Sequence, residues 1–168
     1  MNAEIQIRLE EILNEKIINS SSVRGGCIAD SRKIELNSGK VFFLKQLSFA
    51  NPRIFEAEAL GLDLLSKSGV VNVPKVIEKG DDFLLLEWIE VCEKNKDSSM
   101  EKLGRQFAKL HSFHGEKFGL HKDNYLGNTH QSNSPTEKGS KNWATFFIEN
   151  RIQFQLELML IKAIVLKI

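Results

Sequence analysis

The most constraining feature of this chain is a lysine–glutamate pair set in apolar surroundings. Lys45 ends the apolar run Val41-Phe42-Phe43-Leu44, and Glu58 follows thirteen residues later inside a helical pattern. On that helix Phe55, Glu58, Leu62 and Leu65 recur at i, i+3, i+7 and i+10, which sets Glu58 on the apolar stripe. Glu56 instead aligns with Leu60, Asp63 and Lys67, a more mixed face. A carboxylate facing a core costs on the order of several kcal/mol unless paired. The pattern therefore predicts that Lys45 pairs with Glu58 rather than Glu56. The alternative is a snorkelling lysine and a glutamate at the rim.

Around this pair the chain alternates strands and helices. Ile5, Leu9, Ile12 and Leu13 predict a helix near residues 2–17. Strands are expected over Val23–Ala29, Arg32–Leu36 and Val41–Lys45, with Asn37-Ser38-Gly39-Lys40 as a tight turn. Pro52 suits the first turn of a helix reaching Lys67, which Ser68-Gly69 ends. Strands are expected again over Val73–Ile77 and at Phe83-Leu84-Leu85-Leu86-Glu87, a continuous apolar run. Residues 91–98 form a polar connector, which divides the chain into 1–90 and 91–168. Ser98 with Glu101 reads as a capping box for a helix whose inward face carries Met100, Leu103, Phe107, Leu110 and His111. Residues 115–141 read as loop, and Asn142 as the cap of a last helix with Trp143, Phe146, Phe147, Phe154 and Leu158 inward.

The function classes narrow by exclusion. A net charge of +1 and no basic run with interleaved aromatics argue against a nucleic-acid partner. No apolar stretch is long enough to span a bilayer, and Met1–Ile5 does not begin a secretory signal. Cys27 and Cys92, far apart, suit a reducing cytoplasm. His111 and His114 lack the cysteine or acidic companions of a zinc site, so no metal ligands are assigned. Asp123-Asn124 reads as a turn. Gly25-Gly26 lets a backbone approach phosphate closely, or simply turns the chain.

The ordered set of segments resembles the fructosamine (ketosamine-3-) kinase family. It comprises Gly25-Gly26-Cys27-Ile28-Ala29, Val41–Lys45, Phe55-Glu56-Ala57-Glu58-Ala59-Leu60-Gly61-Leu62, Val73-Pro74, Leu103–His111, Phe118-Gly119-Leu120, Asp123–Asn133 and Trp143–Phe147. The resemblance covers about residues 5–158. It implies an α+β, protein-kinase-like small lobe, an antiparallel sheet plus helix, followed by the first helices of an incomplete large lobe. It implies transfer of the ATP γ-phosphate, with Mg2+, to the O3′ hydroxyl of a ketosamine, either a small molecule or a glycated protein. Choline and aminoglycoside kinases share this small lobe.

By the same resemblance Lys45 holds the ATP phosphates and Glu58 positions it. Gly25, Gly26 and Cys27 form the loop over the phosphates, and Glu87 and Ile89 offer backbone groups to adenine. A cysteine at position 27 is linked, in some members, to redox control through a disulfide-bridged homodimer. The bland reading of Cys27 is a small residue in a tight strand.

Two departures from the family pattern stand out. Asn133 is followed by Ser134-Pro135-Thr136, where the family carries a tryptophan. The family's His-Gly-Asp-Leu-Trp-x-Gly-Asn catalytic loop and its later metal-binding aspartate are absent. The general base is therefore missing, and the chain is expected to be a truncated, inactive form; the alternatives are a non-catalytic nucleotide-binding or interaction remnant, or a fragment of a choline- or aminoglycoside-type small-molecule kinase. Past Leu158 the segment Met159–Ile168 loses its polar face, as a frameshift or premature stop would produce. A buried helix end is the alternative.

Overall fold

The computed structural model describes residues 1–23, 29–47, 51, 53–91 and 96–165, the side chains of 96, 97 and 162–165 aside. Two compact units are present, Met1–Phe113 and His114–Ile168.

The first unit is built on a five-stranded antiparallel sheet. Its elements are α1 (Ala3–Leu13), β1 (Ile17–Ser22), β2 (Asp30–Leu36), β3 (Val41–Gln46), α2 (Arg53–Lys67), β4 (Val76–Lys79), β5 (Phe83–Glu87) and α3 (Lys96–Leu110). The strand order is β1-β2-β3-β5-β4. Helix α1 covers one face, where Ile5 and Leu9 bury against Ile34, Leu44, Phe83 and Leu85. Helix α2 covers the other, where Phe55 and Ala59 bury against Leu47, Leu84 and Leu86. Alternation along β5 thus sends Phe83 and Leu85 to α1, and Leu84 and Leu86 to α2. A strand covered on both faces has no solvent side, which is why its sequence is apolar without interruption.

The expected helix over 2–17 is shorter in the structure. Asn2 caps it by accepting a hydrogen bond from the Glu4 N–H at 3.0 Å. Asn14 ends it in the left-handed region (φ 50), where its N–H reaches the Glu10 and Glu11 carbonyls. The freed residues enter β1, so the first strand lies over Ile17–Ser22 rather than starting at Val23. Residues 24–28 of the expected strand lie outside the described residues. Helix α2 extends from Arg53 to Lys67 and stops at Gly69 (φ +64). Helix α3 begins at Lys96, so Ser98 sits inside its first turn rather than at its cap. Its face with Met100, Leu103 and Phe107 is exposed, not inward. This helix falls within the first compact unit, whereas composition divides the chain at 90 and 91.

The second unit contains a hairpin of β6 (Asn124–Leu126) and β7 (Thr129–Gln131), then α4 (Glu137–Lys141), α5 (Trp143–Phe147), a π-helical segment Ile148–Gln153, and α6 (Phe154–Val165). Asn142 caps α5 by accepting from the Thr145 N–H at 3.0 Å. Phe146 is buried, while Trp143 and Phe147 are exposed despite their expected inward placement. The stretch expected as loop is thus partly ordered. Gly119 (φ +98) lies so close to the Asn133 carbonyl that a Cβ would approach it to 2.3 Å. Among the described residues no helix is long and apolar enough to cross a membrane.

Candidate active site

Strand alternation and helix phase together build the site. In β3, Phe42 and Leu44 face α1, so Phe43 and Lys45 face α2. Helix α2 then brings Glu58 over the sheet. Lys45 Nζ donates to Glu58 Oε1 at 2.7 Å and to Oε2 at 2.6 Å. The two side chains are 24% and 31% exposed, so the pair is neither a loose surface contact nor sealed in the core. An ammonium has three N–H donors. With Glu58 fixing its orientation, one remains to reach an anion.

The ladder between β2 and β3 extends this face. Ser31 lies opposite Lys45 and Lys33 opposite Phe43. Lys33 Nζ stands 4.8 Å from the centroid of Trp88, whose ring is 6.3 Å from that of Phe43. The Trp88 Nε1–H donates to Glu90 Oε1 at 2.7 Å, which anchors the indole. Two lysines therefore flank an aromatic surface. Sequence reasoning missed Lys33 and Trp88, because a contact across three strands leaves no local spacing to read.

Glu87 and Ile89 lie at the end of β5 and just beyond it. The Glu87 N–H donates to the Lys75 carbonyl at 2.9 Å, so that backbone donor is already engaged. Ile89 is exposed. Gly25, Gly26 and Cys27 lie outside the described residues. Glu56 does not join Lys45. It lines a groove of about 700 Å³ between α2 and β4, on the other flank of the helix, with Leu60, Asp63, Pro74 and Val76.

His111 is not a core histidine. It is exposed and packs on Phe107 at 4.6 Å between ring centroids. Asp123 does organise its loop. Its Oδ1 accepts the Asn133 N–H at 2.7 Å, and its Oδ2 pairs with His130 Nε2 at 3.0 Å. Asn133 is buried and donates from Nδ2 to the Lys122 carbonyl at 3.1 Å. Arg151 bonds both Asn133 Oδ1 and the Ser132 carbonyl. Burial lowers the pKa of this guanidinium, and the Asp123 carboxylate opposes that shift.

The donor set fits the phosphates and base of a nucleotide: a held ammonium, a second lysine, and an aromatic surface. Magnesium is a different matter. Among the described residues no group of three or more His, Cys, Asp or Glu side chains could hold a metal ion.

The chain is similar to known proteins in both sequence and structure. A probable ketoamine kinase of Synechocystis sp. is 34% identical over 148 residues, covering 85% of this chain and 48% of the relative. The chain thus spans about half the length of that relative. The crystal structure of a putative fructosamine-3-kinase from Haemophilus somnus superposes with a TM-score of 0.78 at 32% identity, over 94% of this chain and 54% of that one. The streptomycin–ATP complex of APH(2")-IIa shares the fold, with a TM-score of 0.52 at 19% identity, covering 69% of this chain and 42% of that one. The fold is therefore protein-kinase-like. The family model for fructosamine kinase matches residues 1–167. The chain belongs to the fructosamine kinase family.

Proposed function

We propose that this chain is the nucleotide-binding part of a ketosamine kinase. The observation that carries the proposal is the Lys45 ammonium held by both oxygens of Glu58, in a chain of this family. Lys45 neutralises charge on the ATP phosphates and Glu58 keeps it aimed there. Gly25, Gly26 and Cys27 supply backbone N–H groups over the phosphates. The adenine ring takes its hydrogen bonds from the Glu87 carbonyl and the Ile89 backbone. Residues 1–90 act as the ATP-binding lobe, and 91–168 as the linker and beginning of the helical lobe.

The reaction of the family type breaks the bond between the γ-phosphorus and the β–γ bridging oxygen. It forms a bond from that phosphorus to the O3′ of a ketosamine, whose hydroxyl proton leaves to a base. This sequence has no His-Gly-Asp segment, and so no aspartate where the family's base is expected. The chain by itself should bind ATP without turning it over. Mg2+ would be held by the family's later metal-binding aspartate, which is not among these 168 residues. Two cysteines without a disulfide pattern support a cytoplasmic setting. A Cys27-linked homodimer would appear on non-reducing electrophoresis after peroxide treatment and vanish in Cys27→Ser.

The test is ketosamine-dependent ADP release by the 168-residue chain. The expected result is none. Measurable turnover would overturn the assignment of the chain as catalytically incomplete.

A further inference from the structure

The sheet face that carries Lys45 has an order along it. Across the strands, Lys33 and Leu86 lie level with Phe43, while Ser31 and Leu84 lie level with Lys45. Glu87 is level with Phe42, so Trp88 comes one position further from Lys45. Trp88, Phe43 and Lys45 therefore follow one another, with two aromatic rings at one end and an ammonium at the other. A planar base carrying a phosphate tail fits that order, ring on ring and anion on cation.

Lys33 occupies the aromatic end. Strands β2 and β5 are separated by β3, so its side chain crosses the face of β3 to reach Trp88. Its Nζ stands 4.8 Å from the indole centroid. It also lies 4.0 Å from Glu90 Oε1, the atom that accepts the indole N–H at 2.7 Å. The Lys33 and Glu90 side chains are 36% and 79% exposed, and a pair this wet holds weakly. The lysine is thus a strap over the rings with a loose latch. A base that stacks there displaces it, and the freed ammonium starts from a position level with Phe43, between the rings and Lys45.

We infer that Lys33 is a selectivity residue of this site, which favours nucleoside phosphates over free nucleosides. A nucleoside must break the contact between Lys33 and Trp88 and offers the ammonium no anion in exchange. A nucleotide breaks the same contact and supplies phosphate oxygens to the displaced charge. The inference rests on the reading of this face as a nucleotide site, and goes beyond it by assigning the discrimination to one side chain.

The test titrates adenosine and ATP calorimetrically into the original chain, Lys33→Ala and Lys33→Arg. In Lys33→Ala adenosine should bind about two- to fivefold more tightly, through loss of the strap. ATP should bind about two- to fivefold more weakly, through loss of a partly exposed charge. Lys33→Arg keeps a cation that stacks on indole and should restore the preference for ATP. A direct readout is the Lys33 ε-methylene NMR signal, displaced by the indole ring current, which should return to the ordinary lysine position when adenosine is added. An unchanged ratio of ATP to adenosine affinity in Lys33→Ala would overturn the inference. So would an equal loss of preference in Lys33→Arg, or a methylene signal that stays displaced with adenosine bound. ATP binding that is lost in Lys45→Ala while the Lys33→Ala ratio is unchanged would leave the nucleotide site standing and remove only the role of Lys33. No ATP binding by the original chain would overturn both.

Discussion

Two ion pairs on α2 have the same separation and different surroundings. Lys45–Glu58 and Lys67–Asp63 both measure 2.6 Å between nitrogen and oxygen. The side chains of the first are 24% and 31% exposed, and those of the second 71% and 56%. Double-mutant cycles on the two pairs therefore isolate the effect of burial at fixed distance. At this separation two unit charges attract by about 1.6 kcal/mol in bulk water, and by about 6 kcal/mol at an effective dielectric of about 20. For the exposed pair, solvent and side-chain entropy reduce the net coupling to about 0.3–0.5 kcal/mol. The Lys45 pair keeps more of its attraction, but partial exposure and desolvation discount it to about 1–2 kcal/mol. Urea unfolding of Lys45→Met, Glu58→Gln and the double variant should give that coupling. Lys67→Met with Asp63→Asn should give less than about 0.5 kcal/mol. Equal couplings, or a larger one at Asp63–Lys67, would refute the reasoning that the Glu58 face is shielded from water.

Three further outcomes follow from the rest of the chain. Arg8 pairs with Asp82 at 3.0 Å and stacks over Phe83 at 5.1 Å, tying α1 to the β4–β5 turn. Arg8→Ala should lower stability by about 1 kcal/mol in urea, since both partners are partly exposed. The Glu10 carboxyl is lowered from 4.5 to about 2, chiefly by the hydrogen bond from Lys16 and then by that from Gln6. A depressed carboxyl contributes stability fully above 4.5, and the contribution is lost as pH falls through about 2. Acid titrations of unfolding should therefore fall less steeply over that window in Glu10→Gln than in the original chain. Gly119→Ala forces a Cβ against the Asn133 carbonyl at positive φ and should cost about 2 kcal/mol or more. Faster hydrogen exchange across 119–133 would be its signature, and unchanged exchange would contradict the packing described for that loop.

What the sequence made legible was local and periodic. Phe83–Leu86 reads as a strand covered on both faces because no position tolerates water. Glu58 reads as the partner of Lys45 because two simple periods, of the strand and of the helix, converge on it. Strand β1 was hidden because it is an edge strand. Ile17-Ile18-Asn19-Ser20-Ser21-Ser22 has one face in solvent, and its run of serines imitates a turn. The β6–β7 hairpin has strands of three residues, too short to show alternation. The spacing of Met100, Leu103 and Phe107 predicts an inward face on α3, yet these residues are exposed, because a stripe reports a tendency to bury rather than a neighbour to bury against. Lys33 over Trp88, and Arg151 on Asn133, join distant segments and leave no trace in spacing.

ATP binding by the isolated chain tests the central claim most directly. Thermal unfolding of the original chain and of Lys45→Ala should be followed with and without ATP. A ligand that binds only the folded state raises its stability, by about 2.7 kcal/mol at one hundred times its Kd. The account predicts an ATP-dependent rise in Tm for the original chain and its loss in Lys45→Ala. No rise in the original chain, or an equal rise in both, would contradict it.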